Sequence, residues 1–158
     1  MATPPEAYLS FEPQFLIGIE IVDSQHRQIV DVVNELYASV ISNKREKLPL
    51  GLLTRLVGLA KAHFDTEEQL LLAHACPGYL RHKAAHDGLA HNLIEYRDRI
   101  ARREGVLTVE YMELIKLWLI DHIAEFDIPY SRFLAGDNLA AERDSPGQPA
   151  ASPHPTPP

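Results

Sequence analysis

The sequence has one cysteine, one tryptophan, no basic excess and no long uninterrupted apolar run. A lone thiol, Cys76, cannot form an intramolecular disulfide, and without a CxxC around it the residue reads as a passive thiol beside Pro77 and Gly78. A formal charge of −7 disfavours nucleic acid and anionic membranes, both of which recruit basic surfaces. No window approaches the ~18 uncharged apolar residues of a membrane span, and Met1 to Tyr8 lacks a basic stretch followed by an apolar one. These absences predict a soluble, cytoplasmic protein with neither nucleic acid nor membrane as a partner.

What is present is a chain of 158 residues, 46% hydrophobic, enough for a single core. Four segments carry helical periodicity. The first runs from Asp23 to Ser42 with Ile29, Val33, Leu36, Tyr37 and Val40 on one face and Asp23 or Ser24 as cap. Phe11 to Ile21 precedes it as an arm across the bundle. A polar connection from Asn43 to Leu48 leads to Pro49, which suits a first helical turn; Leu52, Leu56, Leu59, His63, Glu67 and Leu70 then share a stripe that Pro77-Gly78 stops. The third, Tyr79 to Arg103, puts His82, His86, Leu89, Leu93, Tyr96 and Ile100 on one face, with Gly105 as the left-handed residue past its end. Thr108 caps the fourth, whose stripe is Met112, Ile115, Leu119, His122, Ile123 and Phe126.

Short loops between four amphipathic helices predict an all-α, up-down-up-down four-helix bundle over residues 1–136. Past Gly136 the periodicity is lost. Ser145 to Pro158 contains six prolines, so 137–158 is expected to be a disordered Pro-rich tail, with His154 inside it.

Eight histidines recur at helical spacings instead of scattering. His63 with Glu67, and His82 with His86, stand four residues apart and share a helix face, so each pair can grip a metal. His26 starts the first helix, and His122 and Asp127 lie on the fourth. Burying five imidazoles and two carboxylates in a Leu-rich core costs on the order of 1–3 kcal/mol for each group left unpaired, and a cation removes that cost. Two carboxylates able to bridge suit a dinuclear centre, and mixed nitrogen and oxygen donors suit iron or manganese. The Glu-x-x-His pairs of ferritin-like oxidases are absent, which disfavours a carboxylate-rich oxidase. His74 and His91 read as surface residues and Glu68 as a solvated or supporting carboxylate. The Arg97, Arg99, Arg102 and Arg103 cluster complements the end of the third helix.

His26 after Asp23-Ser24-Gln25, the run His63-Phe64-Asp65-Thr66-Glu67-Glu68, the pair His82 and His86, and Trp118 to Ile123 followed by Asp127 resemble the hemerythrin pattern, specifically that of bacterial hemerythrins, over about Leu9 to Leu134. The resemblance implies two iron ions bridged by an oxo or hydroxo group and by Glu67 and Asp127, with His82, His86 and His122 on one iron and His26 and His63 on the other. It implies an open position on the second iron, where dioxygen binds reversibly for storage, delivery or sensing, and an apolar pocket of Phe64, Trp118, Leu119 and Ile123. On this reading the protein is not an enzyme; the alternatives are a di-iron enzyme on the same scaffold (nitric oxide reductase, peroxidase or iron-handling repair protein) and a metal-free or zinc-bound interaction module. Two departures stand out. Phe11 replaces the usual tryptophan of the arm, and Pro129 predicts a kink or break that biases Ile128 away from the helical region just after Asp127.

Overall fold

The structure is a computed structural model that describes residues 7–11, 13–42 and 47–136. The expected tail, 137–158, and most of the polar connection, residues 43–46, lie outside the described residues. A single 3-10 turn, Pro13–Phe15, precedes four long helices: α1 (Glu20–Ile41), α2 (Lys47–Ala73), α3 (Tyr79–Ala101) and α4 (Val109–His122). A π-helical turn, Ile123–Asp127, and a short helix α5 (Ile128–Leu134) continue from α4. Helix α1 packs on α2 and α4, and α2 on α3, the neighbour order of the four-helix bundle predicted from periodicity.

Two apolar clusters fill it. The larger gathers Val32, Val33 and Leu36 of α1, Leu53 and Leu56 of α2, Leu89 and Leu93 of α3, and Met112 and Ile115 of α4. The smaller lies at the other end, around Ile17, Val22, Leu71, Cys76, Ile123 and Tyr130. Cys76 is buried there, and burial pushes its thiol up. The arm is tied to the bundle by Asn34, whose side chain accepts from Leu9 N at 2.8 Å and donates to Leu9 O at 2.9 Å.

Helix ends depart from expectation at the start of α1 and the end of α3, while α2 ends before Pro77-Gly78 as expected. Helix α1 begins three residues before Asp23, with extended Ile19 at its cap and no side-chain cap. Asp23 instead turns back from the first helical turn to accept from Ile17 N at 2.8 Å and Gly18 N at 3.1 Å, where Gly18 takes φ 80° to turn the arm into the helix. Past α3 the left-handed residue is Arg103 (φ 61°), not Gly105, with Glu104 N bonded to Arg99 O. Past α2 it is Ala75 (φ 47°), with Cys76 N bonded to Leu71 O and Ala75 N to Leu72 O. Both are Schellman closures, placed where the last carbonyls need donors and not where glycine stands. Thr108 caps α4 as expected, accepting from Tyr111 N at 3.3 Å. Because an L-residue in the left-handed region costs roughly 1–2 kcal/mol and Ala75 is exposed, Ala75→Gly is expected to stabilise the protein by about 1 kcal/mol, read as an increase in denaturant midpoint at constant slope.

Candidate metal centre

Between the two apolar clusters lies a polar layer to which every long helix contributes. His26 comes from α1, His63 and Glu67 from α2, His82 and His86 from α3, and His122 from α4, while Asp127 closes the π turn. All seven are buried. Their ligating atoms form two groups sharing both carboxylates: Glu67, His82, His86, His122 and Asp127 in one, and His26, His63, Glu67 and Asp127 in the other. The structure thus brings together all seven residues singled out from the sequence.

The π turn is what admits Asp127. Five residues of α-helix would rotate it roughly 140° away from His122. The wider register, in which Ile128 N bonds to Ile123 O, returns it to the same side, so that Asp127 Oδ1 lies 3.2 Å from His122 Nε2. The expected effect of Pro129 is corrected here: Ile128 stays helical (φ −61°, ψ −46°) and the chain continues into α5. A proline ring would clash with the carbonyl four residues back in a regular helix, and the enlarged turn accommodates it upstream.

The imidazoles converge through Nε2. His26 Nε2 lies 3.2 Å from His63 Nε2, and His82 Nε2 lies 3.1 Å from His122 Nε2. A cation holding its nitrogens at about 2.1 Å sets neighbouring donors roughly 3.0–3.4 Å apart, so both spacings are those of adjacent ligands on one ion. Glu67 Oε2, both oxygens of Asp127 and His86 Nε2 are buried without a hydrogen bond among the described residues. Four inward-facing lone-pair atoms in that condition cost about 1–3 kcal/mol each, and a cation satisfies them together.

The charges agree. Burial would raise Asp127, but the surrounding His122, His26 and His82 rings hold its carboxyl well below the usual range. Burial and Asp127 likewise oppose ionisation of Glu67, yet His63, His82 and His86 keep it at about 2. Burial lowers His63 to about 4, so its ring is neutral and free to donate a lone pair.

Residues around this layer support it. Glu68 accepts from His86 Nδ1 at 3.2 Å, the carboxylate–histidine arrangement that orients a metal-binding ring. Tyr130 donates to Glu67 Oε1 at 2.7 Å, a contact the sequence reading missed. Burial, with Glu67 and Asp127 close by, drives the Tyr130 phenol far above its ordinary value, so it is a fixed donor. Phe11 of the arm reaches the His26 ring, with centroids 6.3 Å apart. His74 and His91 are exposed and take no part.

A narrow cavity of about 50 Å³ opens on this layer. Its walls are His26, His63 and His122 at one end and Ile29, Val33, Leu56, Ala60, Leu89, Leu93, Ile115 and Trp118 beyond, with Phe64 and Leu119 alongside. Ile123, expected among the pocket residues, does not line it. Ile123 packs instead in the smaller cluster, on the other side of the polar layer.

Residues 17–127 match the family described as Hemerythrin HHE cation binding domain. Bacteriohemerythrin of Stenotrophomonas maltophilia is 29% identical over 125 residues, covering 79% of this chain and 80% of its own. Myohemerythrin of Sipunculus nudus is 23% identical over 126 residues, covering 80% and 92%. A crystal structure of wild-type hemerythrin superposes with a TM-score of 0.77 at 22% identity, over 82% of this chain and 99% of that one, and so shares the fold. With the family match spanning most of the chain and ending on Asp127, this protein belongs to the hemerythrin HHE cation-binding family.

Proposed function

We propose that this chain binds dioxygen reversibly at a di-iron centre in which His82, His86 and His122 hold one iron, His26 and His63 hold the other, and Glu67 and Asp127 bridge them. The observation that carries this reading is the asymmetry of the site. The group containing His26 and His63 has one donor fewer than the other, and the apolar cavity opens on both of those rings, whereas of the richer group's three rings it reaches only His122. A donor-poor metal position facing a dry space accepts an exogenous ligand, whereas a fully ligated one is closed.

Two ferrous ions held by these residues would supply the pair of electrons that reversible dioxygen binding exchanges. The chain's own part is to keep water and protons out of that exchange. Phe64 stacks on His86 with centroids 4.1 Å apart, and Trp118 and Leu119 close the cavity wall. An uncharged gas partitions into such a space, while a water molecule there lacks the two to four polar partners it needs. Glu68 fixes the His86 ring, and the arm covers His26.

The test is an anaerobic titration of the iron-loaded, reduced protein with dioxygen, followed optically. Charge-transfer bands that rise with dioxygen and vanish on its removal, over repeated cycles, are the expected result. Single-pass oxidation without recovery, or sustained turnover of nitric oxide or peroxide faster than autoxidation, would replace this reading with that of a di-iron enzyme.

A further inference from the structure

A line of aromatic rings runs from the cavity through the larger apolar cluster to the loop between α3 and α4. Trp118, the chain's single tryptophan, stands one turn before His122 on α4 and lines the cavity with it. Two turns earlier on the same helix, Tyr111 meets the indole edge to face, with centroids 5.9 Å apart. Tyr96 of α3 stacks flat on Tyr111, with centroids 3.3 Å apart. All three rings are buried in the larger cluster.

Indole and phenol rings give up a single electron more readily than aliphatic or imidazole groups, and an oxidised phenol must then shed its proton. The two tyrosines differ in that respect. The Tyr111 hydroxyl is buried with no hydrogen-bond partner among the described residues, so nothing there takes its proton. The Tyr96 hydroxyl donates to Val106 O at 2.9 Å, and Val106 is 67% exposed, so the phenol group ends where water reaches the loop. Arg99 holds its guanidinium over the Tyr96 ring, 5.9 Å from the centroid, and a positive charge disfavours a cationic ring and favours loss of the proton.

We propose that Trp118, Tyr111 and Tyr96 carry oxidising equivalents out of the cavity: Trp118 loses an electron to hydrogen peroxide reacting there, Tyr111 bridges, and Tyr96 refills Trp118 and releases its phenol proton to water. The radical then rests on Tyr96, where a small hydrogen-atom donor of the ascorbate class restores it. Reduction of one peroxide to two waters takes two electrons and two protons. Two passes along the rings supply the electrons, the two protons shed by Tyr96 balance those taken up, and two donor hydrogen atoms return Tyr96 to its phenol. The route itself needs no metal. Its use against peroxide rests on the two-metal reading above, and it spares the ligand rings, of which His122 shares the cavity wall with Trp118.

The experiment uses the full chain, wild type, Tyr96→Phe and Tyr111→Leu. Flash excitation at wavelengths beyond tyrosine absorption photoionises Trp118 alone in the metal-free protein, and the indole and phenoxyl radical bands are followed in time. The wild-type indole radical is expected to decay as the phenoxyl band rises. Tyr96→Phe loses the phenoxyl band and prolongs the indole radical, and Tyr111→Leu slows the transfer severalfold. The iron-loaded proteins are then treated with hydrogen peroxide, with and without ascorbate. A phenoxyl radical in the wild type, by electron paramagnetic resonance, and severalfold more oxidised Trp118 and histidine in peptide maps of Tyr96→Phe are expected. A wild-type indole radical that decays without a phenoxyl band, or a phenoxyl band that survives Tyr96→Phe, overturns the route. Equal peroxide damage in wild type and Tyr96→Phe overturns the protective use. Fewer than two irons in the wild type removes the two-metal reading and the peroxide chemistry with it, while the flash experiment still decides the route. Should Tyr111→Leu fail to fold, wild type and Tyr96→Phe, which differ by one hydroxyl, decide alone.

Discussion

His63→Ala and His122→Ala are each expected to abolish the spectrum of a coupled metal pair, while His74→Ala and removal of Ser145 to Pro158 leave it unchanged. The two losses differ in kind. His63 belongs to the poorer group, so its removal leaves His26 as the only imidazole beside the shared carboxylates, and that ion should be lost outright. His122 belongs to the richer group, where His82 and His86 remain, so an ion can persist there with weakened affinity and an altered spectrum. Metal analysis should therefore show a larger deficit for His63→Ala than for His122→Ala. His74 is exposed, with its ring 2.8 Å from Leu70 O, and has no route to the polar layer. Loss of the spectrum in His74→Ala, or its survival in His63→Ala, would place the chromophore elsewhere.

Most of this site was legible because its residues obey the period of an α-helix. His63 with Glu67 and His82 with His86 are four apart, and each pair falls on an apolar stripe that includes core leucines, Leu52 and Leu56 on α2 and Leu89 and Leu93 on α3. The same rule does not reach Asp127. Five residues from His122, it belongs on the site only because the helix widens to a π turn, a backbone choice that composition does not announce. Pro129 signalled an irregularity in the right place, but the relief lies upstream of the proline and preserves the helical direction that a break would have lost. Ile123 is buried, as its stripe requires, but it faces the smaller cluster and not the cavity, a difference that periodicity alone does not resolve.

Tyr130 was missed because one tyrosine after a proline carries no pattern of its own. The available signal was its position three residues past Asp127, which puts the two on neighbouring faces of the same helix. The helix ends were missed for a different reason. Local preference favours glycine in the left-handed region, yet Ala75 and Arg103 adopt it because the closing hydrogen bonds of α2 and α3 fall there. Asp23 was read as a cap, and its carboxylate does bind backbone N–H groups, but those of the arm before the helix instead of those within it.

Removing the metal is expected to lower the melting temperature by roughly 8–16 °C. An ion that binds only the folded state stabilises it by RT ln(1 + [M]/Kd), about 4 kcal/mol at a free concentration 1,000-fold above Kd, and each kcal/mol moves the midpoint of a chain of this size by about 2–4 °C. The structure gives the physical origin of that difference. Glu67 and Asp127 are 0% exposed, and three of their four oxygens lack a hydrogen bond, the fourth being held by Tyr130. Without a cation, the histidine rings alone offset two buried negative charges, at nitrogen–oxygen separations of 3.1–3.5 Å that include no aligned donor to these three oxygens. The apolar clusters on either side hold the bundle together in that state, so the metal-free protein should remain helical and lose stability, not fold. Calorimetry of chelated and reloaded protein measures the difference, and His63→Ala provides the control, since its increment on reloading should shrink with its metal content. An unchanged melting temperature after complete metal removal would mean that the polar layer is satisfied by some other means, and the fit of these seven residues to a pair of ions would fail with it.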